Sequence, residues 1–218
     1  MIKNYNNIYF VGIGGIGMSS MAELLHNLKY NISGSDLINS ERTKHLKNLG
    51  ISIEIGHRES NIQGSELIVY SSAVQIDNIE LLKAKELNIP VIRRAEMLEE
   101  IIKSKNISIA VAGTHGKTTT SSMLGVILND AELEPTLIIG GIVINFKGNS
   151  ILGRGDSIIV EADEFDKTFL SLKPSMGIIN NIDFEHVDCY SNIKELKDSF
   201  VLFANSISPD KKNAICID

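Results

Sequence analysis

Two glycine-rich turns constrain the fold of this chain: VGIGGIG at 11–17 and GTHGKTTT at 113–120. Each turn follows a short apolar run that is typical of a buried strand, and each precedes a helical pattern. A strand, a glycine turn and a helix in that order begin a βαβ unit, which builds parallel sheets. The sequence therefore predicts an α/β protein with one phosphate-binding turn in each half.

Strands and helices are predicted to alternate along the whole chain. In the first half the pattern predicts strands at 8–12, 31–36, 51–56 and 67–72, and helices at 41–50, 78–87 and 94–104. A further helix follows the first strand, with an apolar face at Met18, Met21, Ala22, Leu25 and Leu28. In the second half the pattern predicts strands at 107–112, 136–139, 157–162, 176–182 and 213–217, and helices at 117–130 and 192–206.

The polar stretch KSKN at 103–106 separates the two halves. We therefore expect a Rossmann-like domain over 1–105, followed by a P-loop-type α/β domain over 106–218 that is incomplete at its end.

The charge distribution excludes some classes of partner. The 218 residues carry a net charge of −6 and no strongly basic stretch, so a broad nucleic-acid surface is not expected.

The longest apolar run, at 137–146, is too short and too rich in glycine to span a bilayer. No secretion signal is visible, and the two cysteines lack a disulfide or zinc spacing. We expect a cytoplasmic protein.

The first turn has the G-x-G-x-x-G spacing of a nucleotide-binding loop, with Gly12, Gly14 and Gly17, and Gly15 between them. These glycines allow a tight turn, close approach of a diphosphate and close helix packing. Asp36 ends the second predicted strand, where a ribose-binding acid would lie. The turn favours a diphosphate-containing nucleotide, NAD or another; the alternative is that the glycines serve packing alone.

The second turn ends in the G-K-T of a P-loop, although Val111 stands where the full pattern has its first glycine. Backbone amides of such a loop hold phosphates, Lys117 would neutralise the phosphate oxygens, and the Thr118 hydroxyl would bind Mg²⁺. The candidate ATP-binding residues are Gly113, Thr114, His115, Gly116, Lys117, Thr118 and Thr119.

Acidic residues follow a later strand of the same half. Glu161 is the first polar residue after the apolar run at 158–160, and Asp163 and Glu164 come shortly after it. Crowded carboxylates are unfavourable without a cation, so a Mg²⁺ role is expected here. His186 follows a third strand whose carboxyl end should reach the same edge of the sheet.

In order, the motifs GTHGKTTT, VEADEFD and NNIDFEHVDCY resemble those of the Mur ligases, which build the peptide stem of bacterial cell-wall precursors. The N-terminal motifs YFVGIGGIGMSSMAELL, SGSD and RRAEMLEE are similar to the branch that joins L-alanine to UDP-N-acetylmuramate. The resemblance covers essentially the whole chain.

The resemblance implies that the first turn holds the diphosphate of the UDP-sugar and that the second holds ATP. In this family the lactyl carboxylate attacks the γ-phosphate, and the amine of alanine then attacks the acyl phosphate. By position, Lys117 would stabilise the transferred phosphoryl group, while Thr118, Glu161 and His186 would bind Mg²⁺. The family's Asp-His pair reads Glu185-His186 in this chain.

Family members carry a third, C-terminal domain, so the resemblance implies that this chain is an N-terminal part and that it forms no amide alone. Three alternatives stay open. A recycling ligase could attach a ready-made peptide to the same UDP-sugar, an NAD-dependent oxidoreductase could use the first turn, and a nucleotide-binding module could lack catalysis.

Overall fold

A computed structural model describes residues 2–143, 148–184, 189–207 and 213–216 of the chain. Its contacts divide the chain into two compact units, Met1–Met97 and Leu98–Asp218. The domain boundary at 103–106 remains a prediction. Within the described ranges, no helix has the length and apolar character that a bilayer span requires.

The first unit contains a five-stranded sheet in which every pair of neighbouring strands is parallel. Its strand order is β3-β2-β1-β4-β5. The strands are β1 (Asn7–Val11), β2 (Asn31–Asp36), β3 (Ser52–Ile55), β4 (Leu67–Tyr70) and β5 (Val91–Arg93). The helices are α1 (Ile16–Asn27), α2 (Glu41–Asn48) and α3 (Ile79–Glu86), with short 3-10 helices at Ile2–Asn4 and Glu59–Ile62. A fourth helix, α4 (Arg94–Ile102), begins in this unit and continues past its last residue, Met97.

The second unit contains a six-stranded sheet with the order β11-β10-β6-β9-β7-β8. Its pairs are parallel except that β8 runs antiparallel to β7. The strands are β6 (Ile107–Ala112), β7 (Thr136–Val143), β8 (Gly148–Ile151), β9 (Ser157–Glu161), β10 (Met176–Ile179) and β11 (Asn213–Ile215). The helices are α5 (Lys117–Asp130) and α6 (Ile193–Ser206), with a 3-10 helix at Phe165–Ser171.

Apolar side chains from the strands and helices form a core in each unit. In the first, strands β1 and β4 pack with α3 and with the 3-10 helix at Glu59–Ile62 through Tyr9, Val11, Ile62, Ile68, Leu81 and Ala84. In the second, the buried strand residues Ile109, Val111, Leu137 and Ile159 pack with partly buried residues of α5. Phe169 also packs on α6, with ring centroids 5.2 Å from Phe200 and 5.3 Å from Phe203.

The predicted α/β class is confirmed, with differences at the ends of elements. The helix predicted to end at Gly50 ends at Asn48, and Gly50 follows it with a φ of +93°. There the Gly50 amide donates to Lys47 and the Ile51 amide to Leu46, which is a Schellman motif. Leu28 was predicted to lie on the buried face of α1, but it is 43% exposed just beyond the end of that helix.

Candidate functional site

Both glycine turns lie at the carboxyl end of an interior strand. The first follows β1, which lies between β2 and β4; the second follows β6, which lies between β10 and β9. In parallel α/β sheets, ligands bind at the carboxyl ends of strands where the order of connections reverses, and β1 is such a position.

The end of β2 holds the first turn in place. Gly12 has a φ of +79°, a region that favours glycine, and the amides of Gly12 and Ile13 both donate to the Ser35 carbonyl, at 2.9 and 3.0 Å. The Gly14 amide donates to Asp36 Oδ2 at 2.8 Å, and the Ile38 amide donates to Oδ1 at 3.0 Å. Asp36 therefore positions the turn, and its predicted contact with ribose remains a prediction.

Close packing explains two of the predicted glycines. A Cβ on Gly14 would lie 2.8 Å from Asp36 Oδ2 and 2.9 Å from the Thr43 methyl carbon. A Cβ on Gly17 would lie 2.6 Å from Nη1 of Arg94. Gly15 has an extended conformation and precedes the first residue of α1, so the positive end of the helix dipole is at the turn.

Two arginines adjoin this turn, and neither was predicted as a site residue, although Arg94 lies in the motif RRAEMLEE. Arg42 Nε donates to the Gly14 carbonyl at 2.7 Å, and the Arg94 side chain lies beside Gly17. They come from the start of α2 and the start of α4. Because only the tertiary fold brings these helix ends to the turn, no spacing along the chain marks them.

A buried carboxylate links the first turn to the rest of its unit. The Glu80 side chain is fully buried and accepts hydrogen bonds from the Tyr9 hydroxyl (3.0 Å), Asn61 (2.7 Å) and the Ser35 hydroxyl (2.6 Å). His57 Nδ1 lies 2.8 Å from the same carboxylate. Burial raises the pKa of Tyr9 well above its usual range, so this hydroxyl stays protonated and donates. The Ser35 hydroxyl bonds to Glu80 while the Ser35 carbonyl accepts from the turn, so the network fixes the end of β2 that holds the turn.

In the second turn, two glycines take backbone angles that other residues avoid. Gly113 has a φ of +133° and Gly116 a φ of +76°, and α5 begins directly after Gly116. A Cβ on Gly113 would lie 3.0 Å from the Asn180 Cβ. The first-turn amides of α5 and the positive end of its dipole are therefore presented as in an anion-binding helix start.

Two asparagines after β10 brace the second turn. Asn181 Oδ1 accepts from the His115 amide at 2.8 Å, and Asn181 Nδ2 donates to the His115 carbonyl at 3.2 Å. Asn180 Nδ2 donates to the same carbonyl at 3.3 Å, and its Oδ1 accepts from the Thr120 hydroxyl at 3.2 Å. Thr114 also exchanges two hydrogen bonds with the backbone of Asp183, at 3.1 and 3.0 Å. The segment that follows β10 therefore holds the backbone of the second turn in place through hydrogen bonds.

Lys117 is held inside the second unit by a buried carboxylate. Its Nζ donates to the Gly113 carbonyl at 2.7 Å and to Glu164 Oε2 at 2.7 Å, and Asp163 Oδ1 lies 4.0 Å away. The Glu164 side chain is fully buried, while that of Lys117 is 15% exposed. In the sequence Glu164 belongs to a cluster of acidic residues after β9, and its pairing with Lys117 was not predicted.

Glu161 lies beside the second turn because β9 pairs with β6 and sets Glu161 against Val111. The Thr118 hydroxyl, the Gly140 amide and the Lys117 ammonium group lie near its carboxylate, and each favours the charged form. Among the residues that the structure describes, none donates a hydrogen bond to its buried Oε1 atom. Burial raises the pKa of Glu161 above its usual range, although those three groups oppose the shift. A buried carboxylate oxygen without a donor, next to a threonine hydroxyl, fits a divalent cation.

The remaining predicted site residues are placed as follows. His115 is exposed, with Nε2 3.6 Å from Asp183 Oδ2, and Thr119 is exposed on α5. His186 lies outside the described residues, so its predicted metal role stays a prediction. Within the parts of the chain that are described, no three His, Cys, Asp or Glu side chains form a metal-type cluster.

Replacing Glu161 with glutamine should raise the melting temperature at pH 8 without Mg²⁺. The raised pKa means that the folded state disfavours the charged carboxylate. At pH values above the carboxyl pKa in the unfolded chain, the charge therefore lowers the free energy of unfolding. Removing that charge should raise the free energy of unfolding by roughly 1 kcal/mol, and the melting temperature by about 2–4 °C for a chain of this size. The difference should narrow at pH 5, because a lower pH favours the protonated form of wild-type Glu161.

The exposed Asp198→Asn variant on α6 is the control for loss of a charge, and it should melt like wild type. A Glu161→Gln variant that melted lower by the same amount at both pH values would contradict the unfavourable burial of this carboxylate.

Comparison with known proteins identifies the family. Residues 7–106 match the Mur ligase family, catalytic domain, and residues 111–218 match the Mur ligase middle domain. The chain is 47% identical over 218 residues to the UDP-N-acetylmuramate–L-alanine ligase of Desulfotalea psychrophila, covering 48% of that protein. It is 49% identical over 218 residues to that of Geotalea daltonii, covering 47%. The chain spans about half the length of these curated relatives.

Two solved structures of ligases have a fold similar to that of this chain. UDP-N-acetylmuramate-alanine ligase MurC from Thermotoga maritima matches with a TM-score of 0.84 and 32% identity, over 92% of this chain and 47% of that chain. UDP-N-acetylmuramate:L-alanyl-gamma-D-glutamyl-meso-diaminopimelate ligase from Neisseria meningitides matches with a TM-score of 0.88 and 25% identity, over 97% and 71%. With two glycine turns at strand ends and both family domains matched in order, the chain belongs to the Mur ligase family.

Proposed function

We propose that the protein to which this chain belongs is a cytoplasmic, ATP-dependent ligase that joins L-alanine to the lactyl carboxylate of UDP-N-acetylmuramate. The product is a precursor of peptidoglycan. One observation carries the proposal: Lys117 follows β6 and Glu161 ends the neighbouring strand β9, and the Glu161 Oε1 atom has no hydrogen-bond donor among the described residues. The names of the relatives at 47–49% identity support the choice of substrates.

The second turn would bind the phosphates of ATP. Its glycine backbone and the start of α5 supply amide donors, and Lys117 supplies a positive charge on the γ-phosphate. The lactyl carboxylate would attack the γ-phosphorus while the bond to the β-phosphate oxygen breaks, giving an acyl phosphate and ADP. The amine of alanine would then attack the acyl carbon, with loss of a proton and of phosphate, to form the amide.

Thr118, Glu161 and His186 would hold Mg²⁺, which supplies charge neutralisation between the anionic carboxylate and the phosphates. If Glu161 is a ligand, Glu161→Ala should raise the Mg²⁺ concentration needed for half-maximal activity, and added Mg²⁺ should partly rescue it. His186→Ala should behave in the same way. A variant whose Mg²⁺ dependence equals that of wild type would argue against that residue as a ligand.

The first turn would bind the diphosphate of the UDP-sugar. Its glycines allow close approach, the start of α1 supplies amide donors, and Arg42 and Arg94 place guanidinium groups beside Gly14 and Gly17. Guanidinium groups are suited to bidentate binding of phosphate oxygens.

Two other functions use the same turns. A recycling ligase is the nearer one, since the Neisseria structure has the higher TM-score, but the chain is more similar in sequence to the L-alanine ligases. An NAD-dependent oxidoreductase would need only the first turn and would leave Lys117 and Glu161 without a role.

The test is product formation by the protein at the full length of its relatives. With ATP, Mg²⁺, UDP-N-acetylmuramate and L-alanine, mass spectrometry should detect the alanine amide together with equal amounts of ADP and phosphate. Amide formation with the tripeptide L-alanyl-γ-D-glutamyl-meso-diaminopimelate and not with L-alanine would favour the recycling ligase. Oxidation of NADH without amide formation would exclude both ligases.

A further inference from the structure

We propose that Tyr190, braced by the Lys167–Glu195 ion pair, is a positioning residue that sets the location of the Lys117 ammonium group through Glu164. The inference rests on the proposed ATP-binding role of the second turn. Tyr190 touches neither the turn nor Lys117 in the described contacts, so it would act through another residue.

Glu164 is the connecting residue, because its side chain and its backbone have different partners. The buried carboxylate accepts from Lys117 Nζ at 2.7 Å. The backbone carbonyl accepts from the Tyr190 hydroxyl at 2.8 Å and from the Lys167 amide at 3.1 Å. A shift of the Glu164 backbone would therefore move the carboxylate that holds Lys117.

Tyr190 is itself held firmly. The side chain is buried at 1% exposure, and burial raises its pKa to about 12, so its hydroxyl keeps the proton that it donates. Lys167 Nζ lies 5.2 Å from the centre of the Tyr190 ring, within the range of a cation–π contact.

Lys167 has an unusual backbone for its residue type. Its φ is +62°, in the left-handed region, which non-glycine residues occupy only when neighbouring contacts hold them there. Its ammonium group is 2.5 Å from Glu195 Oε1, and Glu195 also accepts from the Ser191 amide at 2.8 Å. These two donors hold the pKa of Glu195 at about 2, so the ion pair stays charged under assay conditions.

The physical effect concerns the freedom of Lys117. A lysine has a long side chain with several rotatable bonds, and fixing it on a phosphate costs rotamer entropy. A carboxylate anchored in the fold restricts the ammonium group before the nucleotide binds, which reduces that cost. Losing the Tyr190 hydroxyl would leave the ring and its packing in place but would release one of the two donors to the Glu164 carbonyl.

The primary test is Tyr190→Phe in this 218-residue chain, with Mg²⁺-ATP binding measured by isothermal titration calorimetry. One neutral hydrogen bond corresponds to about a three- to tenfold loss of ATP affinity. Affinity for UDP-N-acetylmuramate should stay within about twofold of wild type. Tyr70→Phe is the matched control, because it also removes a tyrosine hydroxyl, the one that accepts from Arg93 Nε at 3.1 Å in the first unit.

A second pair of variants keeps the test decisive if Tyr190→Phe folds poorly. Lys167→Met removes the charge but keeps a long side chain at the same backbone angle. It should weaken ATP binding by about two- to fivefold, because it loses a partly exposed ion pair and a cation–π contact. Lys167→Arg should restore most of the affinity. Lys103→Met, which removes an exposed lysine paired with Glu99 at 2.9 Å, is the control.

A double-mutant cycle with Glu164→Gln distinguishes positioning from general destabilisation. If Tyr190 acts through Glu164, the effects of the two changes on ATP affinity should be clearly less than additive. ATP affinity within twofold of wild type in Tyr190→Phe, alongside a large loss in Lys117→Ala, would overturn the positioning role and leave the ATP site intact. Unchanged ATP affinity in Lys117→Ala would instead refute the ATP role of the turn, and this inference with it.

Discussion

Replacing Lys117 with alanine should lower the proposed ligase turnover, assayed at the full length of the relatives, about 10²–10³-fold, because a charged contact to the transferred phosphoryl group is typically worth about 3–4 kcal/mol. Binding of UDP-N-acetylmuramate should be nearly unchanged, since the residues proposed to bind it belong to the first unit. Steady-state kinetics and calorimetry with each ligand measure the two effects.

The structure adds a second consequence for the same variant. Without Lys117, the fully buried Glu164 carboxylate loses its ammonium partner, and breaking such a pair is destabilising. The double variant Lys117→Met with Glu164→Gln should recover much of the lost melting temperature without recovering turnover. Turnover of Lys117→Ala equal to that of wild type would refute the assignment of the second turn.

Replacing Gly14 with valine should weaken binding of UDP-N-acetylmuramate by more than about tenfold, which corresponds to about 1.4 kcal/mol. The sequence alone suggested that the new side chain would enter the path of the diphosphate. The structure gives a different reason, because the added Cβ would lie 2.8 Å from Asp36 Oδ2 and 2.9 Å from Thr43. The carboxylate would be displaced, and the bond that holds the Gly14 amide would be lost.

ATP affinity in the same Gly14→Val sample serves as the internal control and should not change. Asp36→Asn keeps the shape of the side chain and one acceptor oxygen, so its effect should be smaller. Full affinity of Gly14→Val for the UDP-sugar would show that the first turn is not its binding site.

The parts of the fold that the sequence predicted best are those with a strong local signal. The runs before the two turns, IYFV and ISIAVA, form interior strands, and Gly12, Gly113 and Gly116 have positive φ angles at the predicted turns. Strands β5 and β8 were not predicted. β5 has only three residues and leads directly into α4, and β8 has the short, weakly apolar sequence GNSI, so neither provides a periodic pattern.

The contacts that fix the candidate site could not be predicted because they join distant parts of the chain. Asn180 and Asn181 looked like polar residues after a strand, yet they brace a turn 65 and 66 positions earlier. Glu80 was not singled out from the sequence, yet it is fully buried among four polar partners. Only the strand order and the parallel register place these groups together.

The central claim is that the two glycine turns bind two different ligands in separate units. The most direct test is calorimetric titration of three proteins: the wild-type chain, Gly14→Val and Lys117→Ala. Each is titrated with UDP-N-acetylmuramate, Mg²⁺-ATP and NADH. We predict that wild type binds the UDP-sugar and ATP but not NADH, that Gly14→Val loses affinity for the UDP-sugar alone, and that Lys117→Ala loses affinity for ATP alone. Tight NADH binding that Gly14→Val abolishes, or a loss of both ligands in each variant, would contradict the account.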